Sequence, residues 1–217
     1  RSNIGGGSEN YIEDYVQCVD GVWILSEHSF TRGSTIGGGH QNQILFDNLP
    51  TGFIYPTNGP ESRGTSTIAG GRTNTTCSGY YGAQFIGGGK NNIAYCDYTV
   101  ISGGSLNCTE GNYANINGGM QNRASAEYST IGGGSCNSVC DPNSTIGGGS
   151  NNTIQLQCNP FLGSEQPIAP SIISGGCSND ICTNSGYMCG TIGGGHVIAG
   201  GYDNRVCAGA GFNHARS

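Results

Sequence analysis

The chain has 217 residues, of which 41 are Gly and only 10% are charged, and its 8 Lys plus Arg against 14 Asp plus Glu give a net charge of −6. Ordinary globular domains carry about 25% charged residues and about 7% Gly, while the strict every-third-residue Gly of collagen is absent. No basic cluster supplies the electrostatic footprint of nucleic-acid binding, and no apolar run approaches the roughly 18 residues that would insert into a bilayer.

Hydrophobic residues make up 35% of the chain, which fits a thin core drawn out along a rod better than one thick core. The opening residues Arg1-Ser2-Asn3-Ile4 already lie inside a repeat, so the chain reads as a fragment or a mature product. The repeat is Ile-x-Gly-Gly-x-x-Asn. It starts at Ile4, Ile36, Ile68, Ile86, Ile101, Ile116, Ile131, Ile146, Ile173 and Ile198. Its Asn falls at Asn10, Asn42, Asn74, Asn92, Asn107, Asn122, Asn137, Asn152, Asn179 and Asn204. A second small or β-branched residue follows two positions after each Asn, as at Ile44, Ala94, Val139 and Ile154.

In chain order the first departure from the period is 13–33, which carries Trp23 together with Glu13, Asp14, Asp20 and Glu27. The second is 47–65. From Ile86 to Ile146 the starts are 15 residues apart, and this regular stretch defines the coil. The third departure is 157–170. The second and third hold six of the seven prolines, Pro50, Pro56, Pro60, Pro160, Pro167 and Pro170. The longer gaps hold either a coil plus an excursion or a degenerate second coil. Insertions of this kind commonly emerge on a binding face; covering the rod's ends or filling subunit contacts is the other reading.

Fifteen residues rich in Gly and β-branched side chains match no helical repeat. They predict short strands joined by tight turns, and hence an all-β parallel solenoid, or β-roll, spanning 1–217 as a single domain. Successive coils stack about 4.8 Å apart. Ile fills the core, the Gly pair lets the backbone turn with positive φ, and Asn stitches rung to rung as a ladder. The regular part of that ladder is Asn92, Asn107, Asn122, Asn137 and Asn152. A coil this small buries little alone, so several chains around one axis are expected.

The repeated "YSTIGGG" with its following Asn resembles the head repeats of trimeric autotransporter adhesins and the related β-roll repeats of phage and giant-virus fibres. The period is close to that of the adhesins without being identical. The resemblance implies a side-by-side homotrimer and a location that is extracellular or on a virion surface. It also implies a structural or adhesive fibre or spike segment that presents loops to a host-surface receptor or glycan. The alternatives are a polysaccharide-degrading tail-spike domain, for which the acids of 13–33 would supply the required carboxylate pair, and a purely structural capsid or filament component. The enzyme reading is the weaker one, since no nucleophile elbow or phosphate-binding loop is present.

Eleven cysteines point to an oxidising environment, and the odd count leaves one thiol without an intrachain partner. Cys77, Cys140, Cys182 and Cys207 each sit nine residues after a repeat Ile. Cys182 and Cys207 would therefore be column neighbours, within the Cα range of a disulfide. Cys77 with Cys96, Cys140 with Cys158, and Cys136 with Cys140 are further candidates. Without Cys-x-x-Cys and with His28, His40, His196 and His214 scattered, no metal or other cofactor is expected. Asn-x-Ser/Thr occurs at Asn74, Asn107, Asn143 and Asn151. Asn74 and Asn107 belong to the ladder, which leaves Asn143 and Asn151 as acceptors. Tyr98, Tyr113 and Tyr128 recur every 15 residues and predict an aromatic stripe, either a structural ladder or a sugar-stacking surface that joins Trp23 as a candidate binding group. Thr35, Thr67, Thr130 and Thr145 form a second series, too interrupted for the flat Thr array of an ice-binding face.

Overall fold

A computed structural model describes residues 2–12, 17–19, 22–24, 34–46, 65–78, 83–157, 170–184 and 195–207. Every regular element among them is a strand. Twenty of the strands form two parallel ten-stranded sheets, each running in chain order along the rod. The first sheet takes the repeat Ile and the residue before it, as in Thr130–Ile131. The second takes the residues after the Asn, as in Ser138–Val139. Between them, isolated parallel bridges link Ser8, His40, Arg72, Lys90, Ser105 and Met120 onward to Tyr202. Each coil is thus paired to the next at three places. Ten rungs make nine steps of about 4.8 Å, or roughly 40 Å of shaft.

Register is fixed by the side-chain alternation of a strand, because a one-residue slip would turn Ile out to solvent. Ile131 faces Ile116 and Ile146, and all three are fully buried. Across the long gaps the pairing is just as direct: Ile4 to Ile36, Ile36 to Ile68, Ile146 to Ile173 and Ile173 to Ile198. No degenerate coil is therefore interposed between these rungs in either sheet. In the first excursion Gln17–Val19 and Val22–Ile24 pair as an antiparallel hairpin separate from both sheets.

The core is the expected pair of columns, Ile on one side and Ile44, Ala94, Ala124, Val139, Ile154 and Ile181 on the other. Thr76 and Thr109 occupy two positions of that second column, fully buried with hydroxyls that have no hydrogen-bond partner among the described residues. An unmade buried hydrogen bond costs about 1–3 kcal/mol. Thr109→Val removes the hydroxyl at nearly constant volume, so it should raise stability by about 1 kcal/mol, read as an increase in Tm by circular dichroism.

A third buried column is not apparent from the repeat motif. Two residues before the Ile lie Ser34, Ser66, Gln84, Thr99, Ser129, Ser144 and Ser171, all sealed from solvent. Thr99 Oγ1 donates to the Cys96 carbonyl at 3.0 Å and Ser129 Oγ to that of Ala126 at 2.6 Å. Gln84 Nε2 bridges the carbonyls of Cys77 and Cys96. Gln84, Thr99 and Ser129 thus tie down loose carbonyls of the turns that close their coils, while the Ser34 and Ser171 hydroxyls have no hydrogen-bond partner among the described residues.

Candidate functional surface

The Asn ladder has a specific geometry. Asn137 donates its backbone N–H to Asn122 Oδ1 at 3.0 Å. Its Nδ2 donates to the carbonyls of Gly133 and Gly149, both at 3.0 Å. Its Oδ1 accepts the backbone N–H of Asn152. The same backbone-to-amide bond joins Asn92 to Asn107 and Asn107 to Asn122. Direct amide-to-amide bonds occur only at some rungs, including Asn122 to Asn137 and Asn137 to Asn152. The stitching therefore runs mainly from side chain to backbone, with the side chain and backbone N–H of each interior Asn together joining three coils. The left-handed conformation belongs to the residue before each Asn, such as Leu106 at φ 57° and Gln121 at φ 56°, while the Asn itself is the bonding group.

Tyr98, Tyr113 and Tyr128 stand in one column. Their ring centroids are 5.0 Å and 4.7 Å apart with interplanar angles of 3° and 8°. Each is left-handed, with φ between 56° and 59°. Holding a non-glycine residue there costs about 1–2 kcal/mol, and aromatic stacking returns about 0.5–1.5 kcal/mol. The two roughly cancel, so backbone stability does not account for tyrosine at this turn. The rings lie face to face and their edges remain exposed. The column therefore presents a ridge of ring edges and hydroxyls, the faces between the rings being taken up by the stack.

Asn143 continues that column at φ 58° and is exposed, as is Asn151 at φ 53°. Asn74 and Asn107 are wholly buried in the ladder, so of the four sequons only Asn143 and Asn151 offer an accessible amide. Trp23 stands opposite Cys18 in the hairpin. The acids Glu13, Asp14, Asp20 and Glu27, together with Cys158, lie outside the described residues.

Among the cysteine candidates, Cys182 and Cys207 are direct register partners. The strand pairing sets Leu45 opposite Cys77, and Cys96 lies one position beyond the Cys77 column. The same column runs from Cys140, whose N–H bonds the carbonyl of Ile154, through Gln155 to Cys182. Cys136 sits on the left-handed turn beside Gln121 and Cys140 beside Ser138, so their thiols have separate neighbours.

The charges are sorted by column. Arg123 makes a bidentate pair with Glu110; burial works against the Glu110 carboxylate, yet Arg123 holds it below its ordinary range. Cys108, beside that carboxylate, is pushed up to about 12 by burial and by Glu110. Arg205 pairs with Asp180. His40, Arg72 and Lys90 are consecutive in the bridge column. This short basic stripe is invisible in the sequence because its members are 32 and 18 residues apart. Asp141 is fully buried, bonded by Ser144 Oγ at 3.0 Å, and burial raises its carboxyl pKa.

Among the described residues no group of three or more His, Cys, Asp or Glu side chains is placed to hold a metal ion, and no helix is long and apolar enough to cross a membrane. No family model matches the chain, and none of the curated proteins compared with it matches either.

Proposed function

We propose that the chain is a shaft segment of a surface fibre or spike, extracellular or on a virion, structural and adhesive in role. It assembles side by side as a homotrimer and presents its excursions to a receptor or glycan. The observation that supports this best is the outer face of the first sheet. Outward of the buried Ile column stand Asn3, Thr35, Thr67, Phe85, Val100, Asn115, Thr130, Thr145, Ile172 and Val197. Beside them, immediately after the Ile, come only Gly, Ala, Ser and Asn. Ten rungs thus carry no charged side chain on this face, while Arg123, Asp180 and Arg205 lie on the second sheet and Glu110 directly follows one of its strands.

A charge-depleted face with Phe85, Ile172 and Val197 at least 40% exposed has the composition of an interface core. Copies packed through it would bury apolar surface that one thin coil leaves in water, and closed symmetry is the common outcome. Three identical sets of excursions would then let weak contacts add.

Native mass spectrometry of the intact protein should give a trimer. The double substitution Val100→Glu, Thr130→Glu places charge in the face without touching the Ile column, and should yield a folded monomer. A monodisperse monomer from the unsubstituted protein would overturn the assembly. Retention of the trimer, but not the monomer, on a glycan array or on host cells would test the adhesive role.

A further inference from the structure

The last described rung, like the first, is paired on one side only. Its coil pairs with the preceding one through Ile172 N–H to His196 O, Ser174 N–H to Ile198 O and Asp180 N–H to Asn204 O. Among the described residues nothing pairs with its other side. Ile198 is the one buried repeat Ile that is not fully sealed, and Gly201, Asn204 and Arg205 are exposed. Terminal coils of a stack open most easily, because they hold neighbours on one side only.

At this rung the second sheet brings Asp180, Cys182, Arg205 and Cys207 together. Cys182 and Cys207 are opposite one another in register, with Cα atoms one rung apart, about 4.8 Å, inside the range that a disulfide spans. Cys182 is 5% exposed and Cys207 is open to solvent. Both are free thiols, and Arg205 lies beside the pair, with its Nη2 3.9 Å from Cys182 Sγ. Arg205 is itself positioned by Asp180 Oδ2, 3.3 Å from Nε, and Cys182 Sγ donates to the same carboxylate oxygen at 3.3 Å.

We infer that Cys182 and Cys207 are a redox latch: in an oxidising compartment they form one inter-rung disulfide that locks the final coil onto the shaft. The oxidant is a disulfide of low molecular weight or of a protein oxidant. The exposed Cys207 thiolate attacks one of its sulfurs, forming a mixed disulfide and releasing one thiol. The Cys182 thiolate then attacks Cys207 Sγ, forming the Cys182–Cys207 bond and releasing the second thiol. Two electrons and two protons pass from the pair to the oxidant, whose S–S bond is lost. The order follows from access, since an oxidant cannot approach the buried sulfur first. Burial also pushes the Cys182 thiol up to about 11, against the pull of Arg205, so closure by Cys182 is the slower of the two steps.

The full chain, reduced and then exposed to oxidised glutathione while folded, tests the latch by peptide mass spectrometry. The expected dominant product is a Cys182–Cys207 linked pair, reversed by reductant. Either residue linked instead to Cys177 or Cys189, or both still open to alkylation after treatment, would overturn the assignment. Hydrogen exchange supplies a second reading. Amides of the last described coil, 197–206, should exchange up to about 400-fold more slowly in the oxidised form, as expected for cross-linking a loop of this length. Cys207→Ser should abolish both the link and the protection. Equal exchange in the two redox states would show that the bond, where formed, does not hold the rung.

Discussion

Gly104→Ala collapses the middle of the shaft, while Gly103→Ala, one residue earlier, leaves it intact. A Cβ on Gly104 would lie 2.1 Å from the Gly119 carbonyl oxygen of the next coil and 2.7 Å from Asn107 Nδ2, at φ 85°. Both neighbours are fixed: one is backbone, the other is held by two carbonyls. Relief therefore requires the coils to separate, which breaks the ladder at that rung. Left-handed strain adds about 1–2 kcal/mol. The sum should be about 4 kcal/mol or more, at the exceptional end for one substitution. A Cβ on Gly103 would meet nothing within 4 Å, and Ala there should change stability by less than about 1 kcal/mol. Thermal unfolding of the two variants decides it. Equal destabilisation would mean that glycine serves here for general flexibility and not for close approach.

The second large effect is Asn137→Ala. It strips the donor from the Gly133 carbonyl, one of two donors from the Gly149 carbonyl, which keeps the Ser135 N–H, and the acceptor from the Asn152 N–H, beside side chains of Asn137 and Asn152 that are fully buried. Each stranded group costs about 1–3 kcal/mol, so a loss of about 3 kcal/mol or more is expected. Asn137→Asp should be worse at neutral pH, because a carboxylate would face two carbonyl oxygens with no proton to give. Acidification should restore part of that loss, since the protonated acid regains one donor. An Asp variant as stable as the unsubstituted protein at pH 7 would show that the amide's donors are dispensable.

These two effects mark what the sequence does and does not reveal. Ile, Gly and Asn recur at fixed offsets because each faces its own copy one coil away, so periodicity alone exposes the solenoid and its register. Which of the paired glycines is sterically compelled does not show, since both recur in all ten copies. Gly104 is trapped by its neighbour's carbonyl and Gly103 is not. The buried hydroxyl column of Ser34, Thr99 and Ser129 lies outside the motif. Its members differ in type, and Ser before a strand usually reads as surface. The His40, Arg72 and Lys90 stripe is hidden for a related reason, because the excursions separate in sequence what the stack brings together.

The tyrosine stripe was legible as a column from its fifteen-residue spacing. Its geometry was not, because ring-on-ring stacking depends on the left-handed turn that aims the side chains. Cys182 and Cys207 were legible as neighbours from their common offset to Ile173 and Ile198. The arginine between them was not, because Arg205 comes from another column of the same sheet.

The most direct test of the stack itself is a nuclear Overhauser spectrum of the labelled protein, read at the ladder. Vertical stacking predicts contacts from the Asn137 backbone amide proton to side-chain protons of Asn122, and from that of Asn152 to those of Asn137, each bridging fifteen residues. If those amides show cross-peaks only to residues near them in sequence, the rungs are not superposed.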